Sequence, residues 1–128
     1  MAKSMKDLVS AARDACGAIQ PKAAYEAADG LILDVREADE LTKDGAIKDA
    51  LHIPRGVLES RADPDLPTAE LRLTALRNSG GTVYVLCASG ARAAMAAQRL
   101  LEMGYRASVI EGGLKSWREA GLPITGGS

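Results

Sequence analysis

Short apolar runs alternate with longer amphipathic segments along the chain, a pattern typical of a parallel sheet covered by helices. Three of these runs predict buried strands, at 31–35, 82–86 and 108–110. A fourth short strand is expected at 51–54, because Pro54 would end it. We therefore predict an α/β fold with a mostly parallel central sheet of about five strands, wrapped by helices on both faces.

Helical segments fill the intervals between the apolar runs. The predicted helices are 5–16, 21–28, one that starts at 37–40, 70–76 with Thr68 as its N-cap, 91–103 and 114–120. Residues 55–67 contain Pro64 and Pro67, so we expect a long loop there with room for one helical turn. The chain is predicted to consist of an N-terminal helical extension, residues 1–18, and one domain, residues 19–128.

Composition and charge exclude several classes of function. The 128 residues have the usual size of one domain, and sixteen basic residues nearly balance seventeen acidic ones. Without a basic tract we expect no nucleic-acid partner. No apolar run is long enough to span a membrane, and charges interrupt the apolar residues near the N-terminus. We therefore expect a cytoplasmic protein with no membrane partner.

The residue best placed for nucleophilic chemistry is Cys87. It directly follows the strand 82–86, and a helix is predicted from Ala91 onwards. Ligands of open α/β sheets bind at the carboxyl ends of strands, and the N–H groups of a helix N-terminus stabilise a thiolate. Gly90 lets the backbone curl so that successive amides face inward, and Arg92 adds a positive charge. We predict a reactive cysteine, with a buried structural cysteine as the alternative.

Four other residues of interest are interpreted as structural. Cys16 lies on the apolar face of the first predicted helix, and we expect it to be a packed or exposed bystander with a free thiol. His52 stands alone in a short apolar strand, where a histidine is usually structural. Trp117 and Tyr84 are expected to be packing residues.

Four segments of the chain, at 33–37, 45–54, 87–92 and 111–117, resemble motifs of the rhodanese family of sulfurtransferases and follow one another in that family's order. The segment Cys87-x-x-Gly90-x-Arg92 is similar to the six-residue active-site loop of that family. The other three are an Asp-x-Arg strand end at 33–37, the first family signature at 45–54 and the C-terminal signature at 111–117. Together they cover nearly all of residues 19–123.

The resemblance implies a sulfurtransferase that carries sulfane sulfur as a persulfide on Cys87. The donor would be thiosulfate, a persulfide or mercaptopyruvate, and the acceptor cyanide or a thiol; a protein could also donate or accept the sulfur. The residues implied in binding the persulfide and the substrate are Ala88, Ser89, Gly90, Ala91 and Arg92. No metal and no organic cofactor is expected.

Five further residues are candidates for supporting roles. Asp34 and Arg36 end a strand that should neighbour the strand before the cysteine, so we expect an ion pair or caps that fix the loop. Arg55, Glu59 and Arg61 flank the predicted long loop, and either the rim of the pocket or a solvated surface would suit them.

The chain departs from the family pattern at several positions. Ala46 stands where the family usually has histidine and Asp49 where glycine is common, which affects local packing more than chemistry. Ala88 and Ser89 leave the loop without a cation before Arg92. Because thiosulfate is a dianion, we expect that it is not the best natural donor.

Two other functions stay open at the level of the sequence. A phosphatase or arsenate reductase of related fold would use Cys-x5-Arg, whose loop is one residue longer, so we expect negligible phosphatase activity. A non-catalytic or regulatory rhodanese-like module would bind a partner or sense redox state. Such modules usually lack the cysteine that this chain retains.

Overall fold

The computed structural model describes residues 2–127, and within them the backbone forms one five-stranded sheet. The strands are Ala18–Ile19 (β1), Gly30–Asp34 (β2), Leu51–His52 (β3), Thr82–Leu86 (β4) and Arg106–Ile110 (β5). They lie in the order β1-β5-β4-β2-β3, and every neighbouring pair is parallel. The predicted α/β fold with a parallel sheet is thereby confirmed.

Helices connect the strands and cover the sheet. They are Met5–Cys16 (α1), Pro21–Glu26 (α2), Ala38–Asp44 (α3), Leu58–Ala62 (α4), Leu71–Ser79 (α5), Ala91–Glu102 (α6) and Gly113–Glu119 (α7), with a 3₁₀ turn at Arg55–Val57. No helix among residues 2–127 has the length and apolar character needed to cross a lipid bilayer.

Two apolar clusters lie on the two faces of the sheet. One face packs against α1, α4, α5 and α6, where the alanines of α6 let that helix approach the strands closely. The other face packs against α2 and α7, and the fully buried Trp117 is its largest side chain. The N-terminal helix α1 packs against α6 and β5. The predicted boundary after residue 18 stays a prediction. The first residue of the predicted extension, Met1, and the last residue of the predicted domain, Ser128, lie outside the described part of the chain.

The central strand β4 carries the chain to the candidate site. Its neighbours are β5 on one side and β2 on the other, with Asp34 of β2 beside Leu86 of β4. The expectation that these two strand ends lie side by side is confirmed. The carboxyl ends of parallel strands lie at the same edge of a sheet. Cys87, which follows β4, and Arg36, which follows β2, therefore both lie at that edge.

The segment between β3 and β4 differs from the prediction. Residues 55–67 are not mainly a loop, since the 3₁₀ turn and α4 occupy 55–62 and bury Leu58 completely. Thr68 is not an N-cap: its hydroxyl donates to the carbonyl of Ser60. The next helix begins later, at Leu71, with the Glu70 carboxylate accepting the N–H of Arg72. Strand β1, only two residues long, was not predicted.

Both departures in the first signature have a local structural role. Asp49 has a φ of 68°, the left-handed conformation that favours glycine, and its carbonyl accepts a hydrogen bond from Arg72. Ala46 forms an antiparallel bridge with Thr125, which ties the C-terminal segment to the rest of the domain.

Candidate active site

Cys87 lies between the end of β4 and the start of α6, and it is 1% exposed. Its Sγ accepts two backbone hydrogen bonds, from the N–H of Gly90 at 3.0 Å and from the N–H of Ala93 at 3.3 Å. Gly90 reaches this position with a φ of 120°, which an L-residue rarely adopts. The two donors and the N-terminal end of the α6 dipole favour negative charge on the sulfur.

The first residues of α7 hold the loop from outside. The N–H groups of Leu114 and Lys115 donate to the carbonyls of Cys87 and Ala88, at 2.8 and 3.2 Å. Gly113 makes this approach possible, because a Cβ there would lie 2.4 Å from the Cys87 oxygen and 2.6 Å from the Ala88 oxygen. The first turn of α7 is therefore a backbone clamp on the cysteine.

The predicted ion pair at the end of β2 is present and fully buried. The Arg36 guanidinium contacts both carboxylate oxygens of Asp34, the nearest at 2.7 Å, and both side chains are 1% exposed. It also donates to the carbonyl of Gly45 at 2.9 Å. The Arg36 guanidinium thus joins the strand end to the chain directly after α3.

Arg92 binds an acidic partner that lies on α3. Its two terminal nitrogens donate to the two oxygens of Glu40 at 2.7 and 2.8 Å. The hydrogen bond from Arg92 lowers the pKa of Glu40 to about 2, against the effect of partial burial, and the Glu37 N–H adds to the lowering. The same pair raises the pKa of Arg92 above its usual value. The positive charge of the loop is thus already neutralised.

Comparison with known proteins places this geometry in a family. The model of the family described as Rhodanese-like domain matches residues 19–120, which is most of the chain. The chain belongs to that family.

Solved structures of similar proteins extend the likeness across the whole rhodanese-like chain. A protein of unknown function from Rhodopseudomonas palustris, described as a possible tyrosine phosphatase, is 30% identical with a TM-score of 0.87; the match covers 98% of this chain and 96% of that one. The polysulfide-sulfur transferase homodimer from Wolinella succinogenes is 34% identical with a TM-score of 0.69, covering 96% and 88%. Both matches therefore extend into α1.

A curated relative is similar over a shorter span. It is the putative sulfur carrier protein YrkF of Bacillus subtilis, 34% identical over 87 residues, or 67% of this chain. The match spans only 40% of that relative's length. The neighbours thus include proteins named for sulfur transfer and for sulfur carriage.

The three candidates for the rim do not contact the rhodanese-like loop through their side chains. Arg55 stays near the carboxyl edge, its N–H donating to the Val35 carbonyl, but its guanidinium pairs with Glu59 at 3.0 Å. Glu59 also contacts Arg99 on α6 at 3.3 Å. Arg61 pairs with Glu70 at 3.3 Å. These ion pairs connect the segment 55–62 to α6 and to the start of α5.

The other residues interpreted as structural make ordinary packing and polar contacts. His52 Nε2 lies 2.7 Å from the carbonyl oxygen of Arg36, so this nitrogen carries the proton and donates. Tyr84 donates to Asp29 at the opposite edge of the sheet, and Trp117 donates to the Pro123 carbonyl. Burial raises the pKa of the Cys16 thiol, which reduces its thiolate fraction near neutral pH.

Two clefts flank the loop. One, of about 510 Å³, lies between α1 and Ala91, with Met5 and Val9 among its lining residues. The other, of about 350 Å³, lies between α7 and Ala88 and is lined by Lys115 and Arg118. The sulfur is therefore buried under the loop, with open space on either side of it.

Sequence reasoning missed the contacts that two residues make with the loop. Glu40 was noted only as part of the helix start predicted at 37–40, yet its carboxylate binds Arg92. Gly113 belongs to a recognised motif, but its close approach to the loop carbonyls depends on the tertiary fold.

Proposed function

We propose that this protein is a sulfurtransferase that carries sulfane sulfur as a persulfide on Cys87. The observation that carries the proposal is the pair of backbone N–H groups, from Gly90 and Ala93, that donate to a buried Sγ at the N-terminus of α6. Such donors would stabilise negative charge on the sulfur during nucleophilic attack. The family and its sulfur-transferring relatives support the same conclusion.

The reaction has two balanced halves. The Cys87 thiolate attacks the sulfane sulfur of the donor; an S–S bond forms, and the electron pair of the broken bond leaves with the donor remainder, which is sulfite when the donor is thiosulfate. An acceptor thiolate or cyanide then attacks the outer sulfur, and Cys87 leaves as a thiolate. No external oxidant or reductant is consumed, and no dedicated base is needed for an ionised nucleophile.

Burial of the cysteine gives the persulfide a second purpose. Since Sγ lies beneath the loop, a bulky acceptor cannot reach it directly. A persulfide extends the reactive atom by about 2 Å, the length of an S–S bond. The amides of residues 88–92 would hold the charge of this outer sulfur, as oxyanion holes hold oxygen.

The phosphatase alternative is less well supported. The loop from Cys87 to Arg92 is one residue shorter than Cys-x5-Arg. In addition, both terminal nitrogens of Arg92 donate to Glu40, so the charge of Arg92 is already paired with a carboxylate. One structural neighbour is described as a possible tyrosine phosphatase, and release of phosphate from an aryl phosphate, lost in Cys87→Ser, would support that function instead.

The test is persulfide formation on a single cysteine. The protein is incubated with thiosulfate, 3-mercaptopyruvate or glutathione persulfide, and excess donor is removed. The mass of the intact protein is then measured by mass spectrometry, and transfer of the sulfur to cyanide is assayed. We expect a gain of one sulfur, about 32 Da, in the wild type and in the control Cys16→Ser, and none in Cys87→Ser. If no donor loads the wild type, the proposal is wrong, and a partner-binding or redox-sensing role would replace it.

A further inference from the structure

Arg92 is the one cationic residue of the loop 87–92. The hydrogen bonds that it donates to Glu40 raise the pKa of Arg92, and the negative charge of Cys87 in its thiolate form adds to the rise. The guanidinium therefore lies within electrostatic range of the sulfur. A cation in this position attracts anions toward the reactive atom, and the strength of that attraction depends on how firmly Glu40 holds the arginine.

Glu40 is held in place from its own helix. The backbone N–H of Glu37 donates to Glu40 Oε2 at 2.7 Å, which completes a capping box at the start of α3. The two terminal nitrogens of Arg92 donate to both oxygens of the same carboxylate. Such a two-point contact fixes the geometry of both side chains. An anionic substrate would have to compete with a carboxylate that is already in position.

We propose that Glu40 determines donor specificity: by holding and neutralising Arg92, it lowers the reactivity of Cys87 toward doubly charged donors relative to singly charged ones. This inference rests on the proposed sulfur transfer at Cys87. It assigns a role in that reaction to a residue on α3, outside the four segments that resemble rhodanese motifs. Glu40 acts through Arg92 and is a positioning residue.

Two donors isolate the effect of charge. When thiosulfate loads the protein, a thiolate and a dianion react, so three negative charges gather at the loop and leave as a persulfide anion and sulfite. Methanethiosulfonate is a monoanion with a methyl group in place of one oxygen. It gives the same persulfide with methanesulfinate as the leaving group, and only two charges gather. In both reactions the Cys87 thiolate forms an S–S bond and the donor's S–S bond breaks.

The experiment measures kcat/KM for each donor, with cyanide as the acceptor, and compares the ratio of thiosulfate to methanethiosulfonate. The proteins are wild type, Glu40→Gln, Glu40→Ala and the control Glu102→Gln, each shown to be folded by circular dichroism. The control removes the same charge from a carboxylate that also pairs with an arginine of α6, Arg99, at 3.2 Å. It lies ten residues after Arg92 on that helix, about 15 Å away along the axis.

Removal of the Glu40 charge should raise the ratio of thiosulfate to methanethiosulfonate by about two- to fivefold, because ion pairs between partly exposed side chains are weak. The side chains of Arg92 and Glu40 are 36% and 27% exposed. Glu40→Gln and Glu40→Ala should shift the ratio in the same direction, and Glu102→Gln should keep the wild-type ratio. At 1 M salt the shift should shrink, since the screening length falls to roughly 3 Å.

An unchanged or lowered ratio in Glu40→Gln, on protein that loads sulfur, overturns this inference and leaves the sulfur transfer intact. Equal slowing with both donors is one such result, and it would show that Glu40 only supports the loop. If the wild type loads from neither donor, the proposed function fails together with the specificity that rests on it.

Discussion

Replacement of Gly113 by alanine tests whether the α7 clamp positions the cysteine. Gly113 has a φ of 62°, and its Cβ would lie 2.4 Å from the Cys87 oxygen and 2.6 Å from the Ala88 oxygen. Separations under 3.0 Å essentially do not occur, so the loop carbonyls would have to move by about 0.6 Å. These carbonyls accept the N–H groups of Leu114 and Lys115, and the displacement therefore reaches the sulfur loop itself.

The expected loss in the free energy of unfolding of Gly113→Ala has two contributions. Left-handed backbone in an L-residue costs about 1–2 kcal/mol. Forcing a methyl group against fixed backbone adds about 1–3 kcal/mol of overpacking. We therefore expect Gly113→Ala to lower the free energy of unfolding by about 2–5 kcal/mol, a large share of the 5–15 kcal/mol that is typical of a domain.

Replacement of a second glycine, Gly80, measures the cost of the left-handed backbone without the cost of overpacking. Gly80 ends α5 with a φ of 79°, and a Cβ there meets nothing within 4 Å. Gly80→Ala should therefore lose only the conformational part, about 1–2 kcal/mol, and keep wild-type sulfur loading. Urea unfolding followed by circular dichroism gives the stabilities, and intact mass after incubation with thiosulfate gives the extent of loading.

The decisive comparison is between Gly113→Ala and Gly80→Ala, in the free energy of unfolding and in the rate of sulfur loading. We expect Gly113→Ala to be less stable than Gly80→Ala by about 1–3 kcal/mol and to load sulfur more slowly under conditions where it is still folded. Equal stability of the two variants, together with normal loading in Gly113→Ala, would refute the clamp.

Two further predictions concern residues outside the loop. Glu40→Gln should lower the free energy of unfolding at neutral pH by about 0.5–1 kcal/mol, a value reduced by solvent screening because Arg92 is partly exposed. Since the folded pKa of Glu40 is about 2, below its ordinary 4.5, this contribution is complete above pH 4.5 and is lost as the pH falls toward 2. Urea unfolding at several pH values should show wild type and variant converging in acid; a constant difference would contradict the assignment. Asp49→Gly should raise the melting temperature by relieving the φ of 68°, a gain of about 0.5–1 kcal/mol after the entropy of glycine is subtracted; a lower melting temperature would show that the aspartate stabilises its turn.

Much of the fold could be predicted because its signals are local. The strand 82–86 is a run of apolar and β-branched residues, and the structure places β4 at the same five residues. The segment 55–67 was harder, because Pro64 and Pro67 suggested a loop while Leu58 and Ala62 are buried by contacts across the chain. Thr68 does not cap the helix, because its hydroxyl donates to the backbone carbonyl of Ser60 in the preceding helix.

The sequence by itself determined the nature of the candidate site. A cysteine after a buried strand, a glycine that permits curled backbone and a following helix are neighbours in the chain, so their relation is local and readable. The same holds for Asp34 and Arg36, whose pairing needs only two residues of separation. Local geometry also explains why the predicted strand ends were correct to within one residue at Asp34 and Leu86.

Only the tertiary structure decided how that site is charged and supported. Glu40 is 52 positions from Arg92, and Gly113 is far along the chain from Cys87, so no spacing rule could join them. Pairing with Glu40 turns Arg92 from a free cation into part of the scaffold. The physical reason is that charge neutralisation and close backbone approach depend on distances in space, which the parallel sheet sets when it brings its strand ends to one edge.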